Sequence, residues 1–160
     1  MQRDISKAMY RLFPIPEVNT TVNDTPTPIK VLVQDYHDLY REGFIMLLRI
    51  NGIAVISEVQ DGINVIQSIN PANLPDIAII NYKTSRRESL NAACLIKQQY
   101  PDVKVILNSQ YSYSLPIGRI KEIGIEGIII KAIHSTAQMI NAIRLVHSGG
   151  RFYSITPPTY

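Results

Sequence analysis

The feature that most constrains this chain is a fivefold alternation of short apolar runs with segments whose apolar residues recur at helical spacing. The runs lack the polar alternation of a half-exposed strand, so each strand needs cover on both faces. Strands of this kind that alternate with helices form a parallel sheet between two helical layers, and a common strand order is 2-1-3-4-5. The sequence therefore predicts an α/β fold of three layers, αβα, around a five-stranded parallel sheet. The predicted strands are IKVLVQ, IAVISEV, DIAII, VKVILN and EGIIIK.

Capping residues mark several of the segments between the strands. Asp38 is a candidate N-cap for the helix LYREGFIMLLRI, and Gly52 lies just past the end of that helix. Ser135 and Gly149 bracket the last helix, TAQMINAIRLVH, in the same way. The short helix IGRIKEIG is predicted to follow Ser114 as its cap. The remaining predicted helices are GINVIQSIN and SLNAACLIKQQY.

The first part of the chain differs from the rest. The stretch PIPEVNTTVNDTPTP is rich in Pro, Thr and Asn and has no sustained period, which is typical of a linker. Before it, Ile5, Met9 and Leu12 fall on one helical stripe. This segment could therefore be either a short docking helix or an unpacked arm. The predicted organisation is a flexible arm and linker at 1–28, the domain at 29–154 and a tail at 155–160.

Composition excludes several classes of protein. The chain has 160 residues, of which 46% are apolar and 18% charged, as is typical of one globular domain. The net charge of +3 is mild, and the basic residues are scattered apart from KTSRR, so no nucleic-acid surface is predicted. No apolar run reaches the ~18 residues of a membrane helix, and the single Cys94 excludes an internal disulfide. We expect a cytoplasmic protein that does not enter a membrane, with a buried, inert thiol at Cys94.

Sequence motifs for catalysis are also missing. No Ser-His-Asp or Cys-His arrangement, HExxH, P-loop or GxGxxG motif occurs in the sequence. Enzymatic activity is therefore not predicted.

The predicted topology brings two polar strand ends together. In a sheet of order 2-1-3-4-5 the switch point lies between strands 1 and 3, and ligands bind beyond the carboxyl ends of the strands there. Those ends are Gln34, Asp35 and Tyr36 for the first strand and Asn81 for the third. The sequence therefore predicts a site around these residues.

Several stretches of this chain resemble response-regulator receiver domains, especially those of the NarL/FixJ type. VLVQDYHDLYREGF resembles the first strand and helix of these domains, and PDIAIINYK resembles the strand that carries the phosphoacceptor. PDVKVILNS and GIEGIIIKAI resemble the fourth and fifth strands, with their hydroxyl residue and lysine. The resemblance covers about residues 29 to 154, in order and nearly without gaps. It implies the CheY-like receiver fold and a role in two-component signal transduction.

The resemblance implies a role for each residue of the predicted pocket, and some of these residues depart from the family's pattern. Asp35 stands at the first acidic position, Ser109 at the hydroxyl position and Lys131 at the lysine position. Tyr36, however, replaces the second acidic residue, which contributes to magnesium binding in the family. Asn81 replaces the aspartate that accepts the phosphoryl group. The resemblance therefore implies a phosphorylation pocket that lacks its reactive carboxylate.

Two further positions also depart from the residues that the family has there. Lys83 stands where a backbone carbonyl of the family helps to bind the metal, and Ile128 stands at the aromatic switch position. An amide would not form an acyl phosphate, and Asp35 alone is a poor ligand set for Mg²⁺. We therefore expect a degenerate pocket with no cofactor and with weak or absent Mg²⁺ binding. Lys131 is expected to pair with Asp35 and to hydrogen-bond the Asn81 carbonyl.

The resemblance leaves three functions open. The first is a pseudo-receiver that acts without phosphorylation, by binding a protein partner or by forming a homodimer through its helical faces. The second is the receiver part of a LuxR-type helix-turn-helix transcription regulator, which would bind DNA only through an output domain absent from this chain. The third is a module for an anion or a phosphorylated partner, built from Lys131, Ser109, Lys83, Arg86 and Arg87.

The histidines, and two tyrosines near the predicted fourth helix, give only weak indications of a functional role. His37 lies near the rim of the predicted pocket, whereas His134 and His147 are expected at the surface without a carboxylate partner. Tyr111 and Tyr113 fit equally well as anchors for a partner and as loop aromatics.

Overall fold

Strands and helices follow one another in strict alternation along the chain. The computed structural model describes residues 25–83, 85–153 and 155, so most of the predicted arm and tail lies outside the described residues. The strands are β1 (Lys30–Gln34), β2 (Ala54–Val59), β3 (Ile77–Tyr82), β4 (Lys104–Ser109) and β5 (Gly127–Ile130). The helices are α1 (Asp38–Ile50), α2 (Glu88–Gln99), α3 (Ile117–Ile123) and α4 (Thr136–His147).

All five strands form one parallel sheet in the order β2-β1-β3-β4-β5. The predicted topology is therefore confirmed. β3 lies at the centre, where Ile77 pairs with Val31 of β1 and Asn81 pairs with Asn108 of β4. Because the strands are parallel, their carboxyl ends lie at one edge of the sheet, which is where polar residues of different strands meet.

Apolar side chains cover both faces of the sheet. Alternate residues of a strand point to opposite faces, so each strand contributes to both layers. One layer lies between the sheet and α1 and α4, and the other lies between the sheet and α2 and α3. The first contains Val31, Val33, Ile77, Ile79, Phe44, Leu48, Ile140 and Ile143, and the second contains Leu32, Ala78, Ile80, Leu107, Ala93, Ile96 and Ile120. This double burial explains why the strand sequences are continuously apolar.

Several helix ends follow the predicted capping residues. The Ser135 side chain accepts a hydrogen bond from the backbone of Gln138, whose side chain bonds back to Ser135, so this end is a capping box. Gly52 has a φ of +74°, as expected for the residue that follows a helix. At the start of α1, however, the N-cap is His37, and Asp38 is the first helical residue. The prediction of an Asp38 cap was therefore wrong by one position.

The predicted second helix, GINVIQSIN, is absent from the described residues. Two short 3₁₀ turns, Gly62–Asn64 and Ile66–Ser68, take its place. Gly, Asn and β-branched residues have low helix propensity, and so short a segment is marginal without strong packing. Gly62 also packs closely, because a Cβ built on it would lie 2.9 Å from Oη of Tyr36.

The fourth predicted helix begins at Ile117, as the segment IGRIKEIG predicts, but its N-cap differs from the predicted one. Pro116 is the N-cap of α3, and the first helical residue is Ile117, so Ser114 is not the cap. Gly124 ends this helix in the left-handed region, with a φ of +85°. Among the described residues, no helix is long and apolar enough to cross a membrane.

Candidate functional site

Four of the predicted site residues meet at the carboxyl edge of the sheet. Asp35 follows β1, Asn81 and Ser109 lie at the ends of β3 and β4, and Lys131 follows β5. All four side chains are almost fully buried, and Asp35 is 1% exposed. Charged groups at this depth need partners, because an isolated buried charge is costly.

Both carboxylate oxygens of Asp35 have partners. Oδ2 lies 2.7 Å from Nζ of Lys131, and Oδ1 accepts a hydrogen bond of 2.9 Å from the backbone N–H of His37. The imidazole Nδ1 of His37 lies 3.4 Å from the same Oδ1. The predicted Asp35–Lys131 pair is therefore formed, and His37 lies beside it.

Tyr40 of α1 covers the Lys131 ammonium. Nζ lies 3.7 Å from the centroid of the Tyr40 ring, which is the geometry of a cation–π contact. Burial lowers the pKa of Lys131, and the hydrogen bond and charge of Asp35 oppose this shift. Oη of Tyr40 accepts a hydrogen bond of 3.1 Å from the side chain of Asn108. The buried pair is therefore connected both to α1 and to β4.

Asn81 makes its hydrogen bonds to the neighbouring strands. Its Nδ2 donates to the carbonyl oxygen of Asn108 at 3.1 Å, and its backbone N–H donates to Oε1 of Gln34 at 3.0 Å. No hydrogen bond joins Asn81 to Lys131 in the part of the chain that the structure describes, contrary to our expectation. The Lys131 ammonium is engaged by Asp35 and Tyr40 instead.

Tyr36 lies at the centre of a second set of contacts. Its Oη donates a hydrogen bond of 2.8 Å to Oε2 of Glu88. The Arg86 guanidinium lies 4.6 Å and the Lys83 ammonium 5.3 Å from the centroid of its ring. Nη1 of Arg86 also lies 3.6 Å from Oε2 of Glu88. We refer to Tyr36, Lys83, Arg86 and Glu88 as the Tyr36 cluster; it joins the end of β1 to the loop between β3 and α2.

The Tyr36 phenol is held in its neutral form by this cluster. Burial, followed by the hydrogen bond and the charge of Glu88, raises its pKa from 10.0 to about 12, against smaller opposing effects of a hydrogen bond with the Gly62 backbone and of the Arg86 charge. A protonated phenol can donate to Glu88 but cannot replace a carboxylate as a ligand for a cation.

The residues present do not fit a bound Mg²⁺ ion. This ion requires hard oxygen ligands in octahedral geometry, usually including one or two carboxylates. Both oxygens of Asp35 are already engaged, and the protonated Tyr36 stands where the resemblance implies a second carboxylate. Oδ1 of Asn81 is buried and accepts no hydrogen bond, but one amide oxygen is a weak ligand set. Within the described ranges, no group of three or more His, Cys, Asp and Glu side chains is arranged to bind a metal ion.

Ser109 and Ile128 have separate environments. Oγ of Ser109 donates a hydrogen bond of 2.9 Å to the carbonyl oxygen of Tyr111, in the loop that follows β4. Ile128 is completely buried in the apolar layer under α2 and α3. An aliphatic side chain at this depth contributes to packing, and its position offers no surface to a partner.

The five residues of the suggested anion site are divided among different contacts. Lys131 is paired with Asp35, Lys83 and Arg86 lie over the Tyr36 ring, and Arg87 is exposed. Together with the local hydrogen bond of Ser109, this arrangement does not direct the five groups toward one anion.

Three residues that complete these networks were not predicted from the sequence. Asn108 is a polar residue at the end of an apolar strand, and this position was the available signal. Glu88 is the acidic residue of the first turn of α2, where it would be assigned only to the helix terminus. No sequence pattern indicated Tyr40, because its contact with Lys131 joins residues that are distant in the sequence.

Three other residues differ from the sequence prediction in their burial or in their partners. His134 is buried, its Nδ1 accepts a hydrogen bond from the backbone of Ile130, and its ring packs against Phe152. His147 does lie near a carboxylate, with Nε2 3.9 Å from Oδ2 of Asp76. Cys94 is only partly buried.

No protein-family model matches this chain, but individual proteins do. It is 32% identical over 127 residues to the response regulator GacA of Pseudomonas syringae, covering 79% of this chain and 58% of that protein. It is 26% identical over 136 residues to the transcriptional regulatory protein DegU of Brevibacillus brevis, covering 84% of this chain and 56% of that protein. The chain therefore spans somewhat more than half the length of these curated relatives.

Solved structures match about four-fifths of this chain. The signal receiver domain of the response regulator NarL from Mycobacterium tuberculosis superposes with a TM-score of 0.69 at 24% identity, covering 78% of this chain and 99% of that one. A two-component response regulator of the LuxR family from Aurantimonas gives a TM-score of 0.70 at 22% identity, covering 80% of this chain and 91% of that one. At these identities the likeness shows the fold.

Proposed function

We propose that this chain is a receiver domain that signals without phosphoryl transfer. The sequence relatives and the fold support a receiver domain of the NarL/LuxR response-regulator type. In this proposal its output is a contact with a protein partner or with a second copy of itself. The observation that carries the proposal is the content of the pocket. Asn81 stands at the acceptor position and is engaged in cross-strand hydrogen bonds.

The chemistry of the pocket supports an inert site. Phosphoryl transfer to a receiver requires a carboxylate nucleophile and a metal ion that neutralises the transferred group. Here an amide occupies the first position, and the Tyr36 cluster brings a phenol, an ammonium and a guanidinium to the second. The Asp35–Lys131 pair then holds a fixed arrangement in place of a switch.

A second candidate function is regulation of transcription through a DNA-binding output domain. The observation in its favour is that the relatives include a protein named as a transcriptional regulatory protein, of which this chain spans 56%. Both candidates use the same receiver domain. They differ in what the domain controls.

The test is an intact-mass measurement after incubation with acetyl phosphate and Mg²⁺. We expect no phosphoryl adduct on the wild type and none on the control Asn91→Asp, an exposed amide on α2. Asn81→Asp combined with Tyr36→Asp should gain one phosphoryl group and a Mg²⁺-dependent rise in Tm, because it supplies the missing carboxylates. A stable adduct on the wild type would refute the proposal.

Sedimentation velocity of the wild type extends this test to the output. If the contact surfaces are independent of phosphorylation, the association state should be the same with and without acetyl phosphate. A change in association that depends on acetyl phosphate would contradict the proposal.

A further inference from the structure

Helix α1 carries an apolar stripe that no other part of the described chain covers. Leu39, Met46 and Ile50 are 85%, 63% and 80% exposed. Their spacing of seven and four residues places them on one side of the helix. A contiguous exposed apolar surface of this kind usually marks a contact site.

This stripe borders a groove between α1 and α4. The groove has a volume of about 530 Å³, and its lining is almost entirely apolar. Tyr40, Phe44 and Leu47 of α1 and Met139 of α4 contribute to the lining. We refer to it as the α1–α4 groove. An apolar groove of this kind is a surface that binds the apolar face of an amphipathic helix.

Residues before β1 leave the domain next to one end of this groove. The carbonyl oxygen of Ile29 accepts a hydrogen bond of 2.8 Å from the backbone of Ala54, which follows α1 closely. Ile50, the last residue of α1, lines the same end of the groove. The preceding chain therefore starts from the end of the domain where the groove also ends.

The sequence before that point contains a segment suited to this groove. Ile5, Met9 and Leu12 fall on one helical stripe. Arg3, Lys7 and Arg11 recur at intervals of four on the opposite side of the same helical projection. One side is therefore apolar and the other strongly hydrated, which is the pattern of a helix that packs against a surface by one side only.

We propose that residues 5–13 of this chain dock as an amphipathic helix in the α1–α4 groove and cover the Leu39, Met46 and Ile50 stripe. The connecting segment is long enough: residues 14–28 span up to about 50 Å when extended, whereas α1 is only about 20 Å long. Because the segment is tethered, its effective concentration at the groove is in the millimolar range, which favours it over a free second copy.

This inference goes beyond the proposed function, since it assigns the natural occupant of one helical face. It also implies a connection to the pocket. Tyr40 lines the groove and contacts the Lys131 ammonium, so the docked segment would pack on a residue that belongs to the buried network.

Paramagnetic broadening in NMR spectra of the full chain tests the proposal. A spin label is attached to Ser6→Cys in a Cys94→Ser background, so that it has one attachment site. We expect strong broadening of the amide signals of Met46 and Ile50 within the labelled molecule. In a mixture of isotope-labelled chain without spin label and spin-labelled chain without isotope, we expect none.

Substitutions in the groove provide the matched comparison. Leu39→Lys combined with Met46→Lys should reduce the broadening at least twofold, and both positions are exposed, so the fold should tolerate them. Glu42→Lys, an exposed position on the same helix outside the groove lining, should leave it unchanged.

Three outcomes would overturn the proposal. They are the absence of broadening on α1, broadening that also occurs in the mixed sample, which would assign the groove to a second copy, and broadening that the groove substitutions leave intact. Co-sedimentation with phosphatidylserine–phosphatidylcholine vesicles that Met9→Glu abolishes, without broadening on α1, would assign the segment to a membrane surface and likewise overturn it. A phosphoryl adduct on the wild type would refute the proposed function alone, so the two failures are distinguishable.

Discussion

Asp35 and Lys131 lie 96 residues apart in the sequence and form an ion pair that is almost fully shielded from water. Such a pair adds little net stability compared with a well-packed apolar pair, because both charges lose their hydration. Removing only one partner, in contrast, is strongly destabilising. The remaining charge would then be buried without an ammonium partner, and only the backbone N–H and the imidazole of His37 would lie beside it.

We predict that Lys131→Met lowers the free energy of unfolding by about 3–5 kcal/mol, because it leaves the Asp35 carboxylate unpaired. Lys121→Met, at an exposed lysine of α3, should change it by no more than about 0.5 kcal/mol. Urea unfolding measures both values. Equal losses for the two variants would show that Lys131 is not a structural partner of Asp35.

The Tyr36 phenol gives the pocket a specific response to alkaline pH. Its pKa is raised from 10.0 to about 12 in the folded protein, so the folded state keeps this proton at pH values where the unfolded state has lost it. The stability that this group contributes is therefore complete below pH 10.0 and is lost as the pH rises toward about 12.

We predict that Tyr36→Phe costs about 1 kcal/mol below this range, through the lost hydrogen bond to Glu88, and that the difference from wild type shrinks as the pH rises through it. Urea unfolding at a series of alkaline pH values measures the difference. Tyr113→Phe, at an exposed loop tyrosine, is the control and should give no such convergence. A constant difference across the range would contradict the role of the Glu88 hydrogen bond.

Among the elements, the segment between β2 and β3 departs most from the sequence prediction. Two 3₁₀ turns replace the expected helix, and Gly62 at their start packs against the Tyr36 cluster. A Cβ at position 62 would lie 2.9 Å from Oη of Tyr36 and 3.3 Å from Cβ of Glu88. The close approach of this segment therefore depends on the missing side chain of glycine.

Two glycine substitutions should have opposite effects on stability. Gly62→Ala should destabilise the protein by about 1–3 kcal/mol, because the new methyl group displaces Tyr36 or Glu88. Gly118→Ala lies in α3 with nothing within 4 Å of the added Cβ, and it should stabilise the protein by about 0.5–1 kcal/mol. Thermal unfolding of both variants tests the pair. Stabilisation by Gly62→Ala would show that this segment has room to adjust.

At the scale of the whole molecule, stability comes from the cover on both faces of the sheet. α1 and α4 bury one face and α2 and α3 the other, so the central strands have no exposed side. Helix α4 comes late in the chain and packs on strands formed by its earlier part. Its apolar side chains therefore join distant segments into one cooperative unit.

We predict that Ile143→Ala in α4 costs about 2–5 kcal/mol, because this side chain is completely buried against the sheet. Leu145→Ala, two residues away on the same helix and 42% exposed, should cost about 1 kcal/mol or less. Urea unfolding gives both values. Similar costs would mean that α4 does not depend on the buried face for its packing.

The sequence by itself determined the fold class and the edge of the sheet where the predicted site residues lie, and the strand order is the one that is common in such sheets. Continuous apolar strands require cover on both faces, and their alternation with helices leads to a parallel sheet between helical layers. The alternation of elements and the position of Asp35, Asn81 and Lys131 at strand ends then follow from topology. These properties depend on patterns that extend over whole elements, which is why they could be predicted.

Only the tertiary structure decided which partners the site residues have. Asn81 bonds to β1 and β4 and not to Lys131, and Lys131 packs on Tyr40. Glu88 and Gly62 reach Tyr36 from two different loops. Each of these contacts depends on distances of a few ångströms between residues far apart in the chain, and local sequence patterns carry no information about such distances.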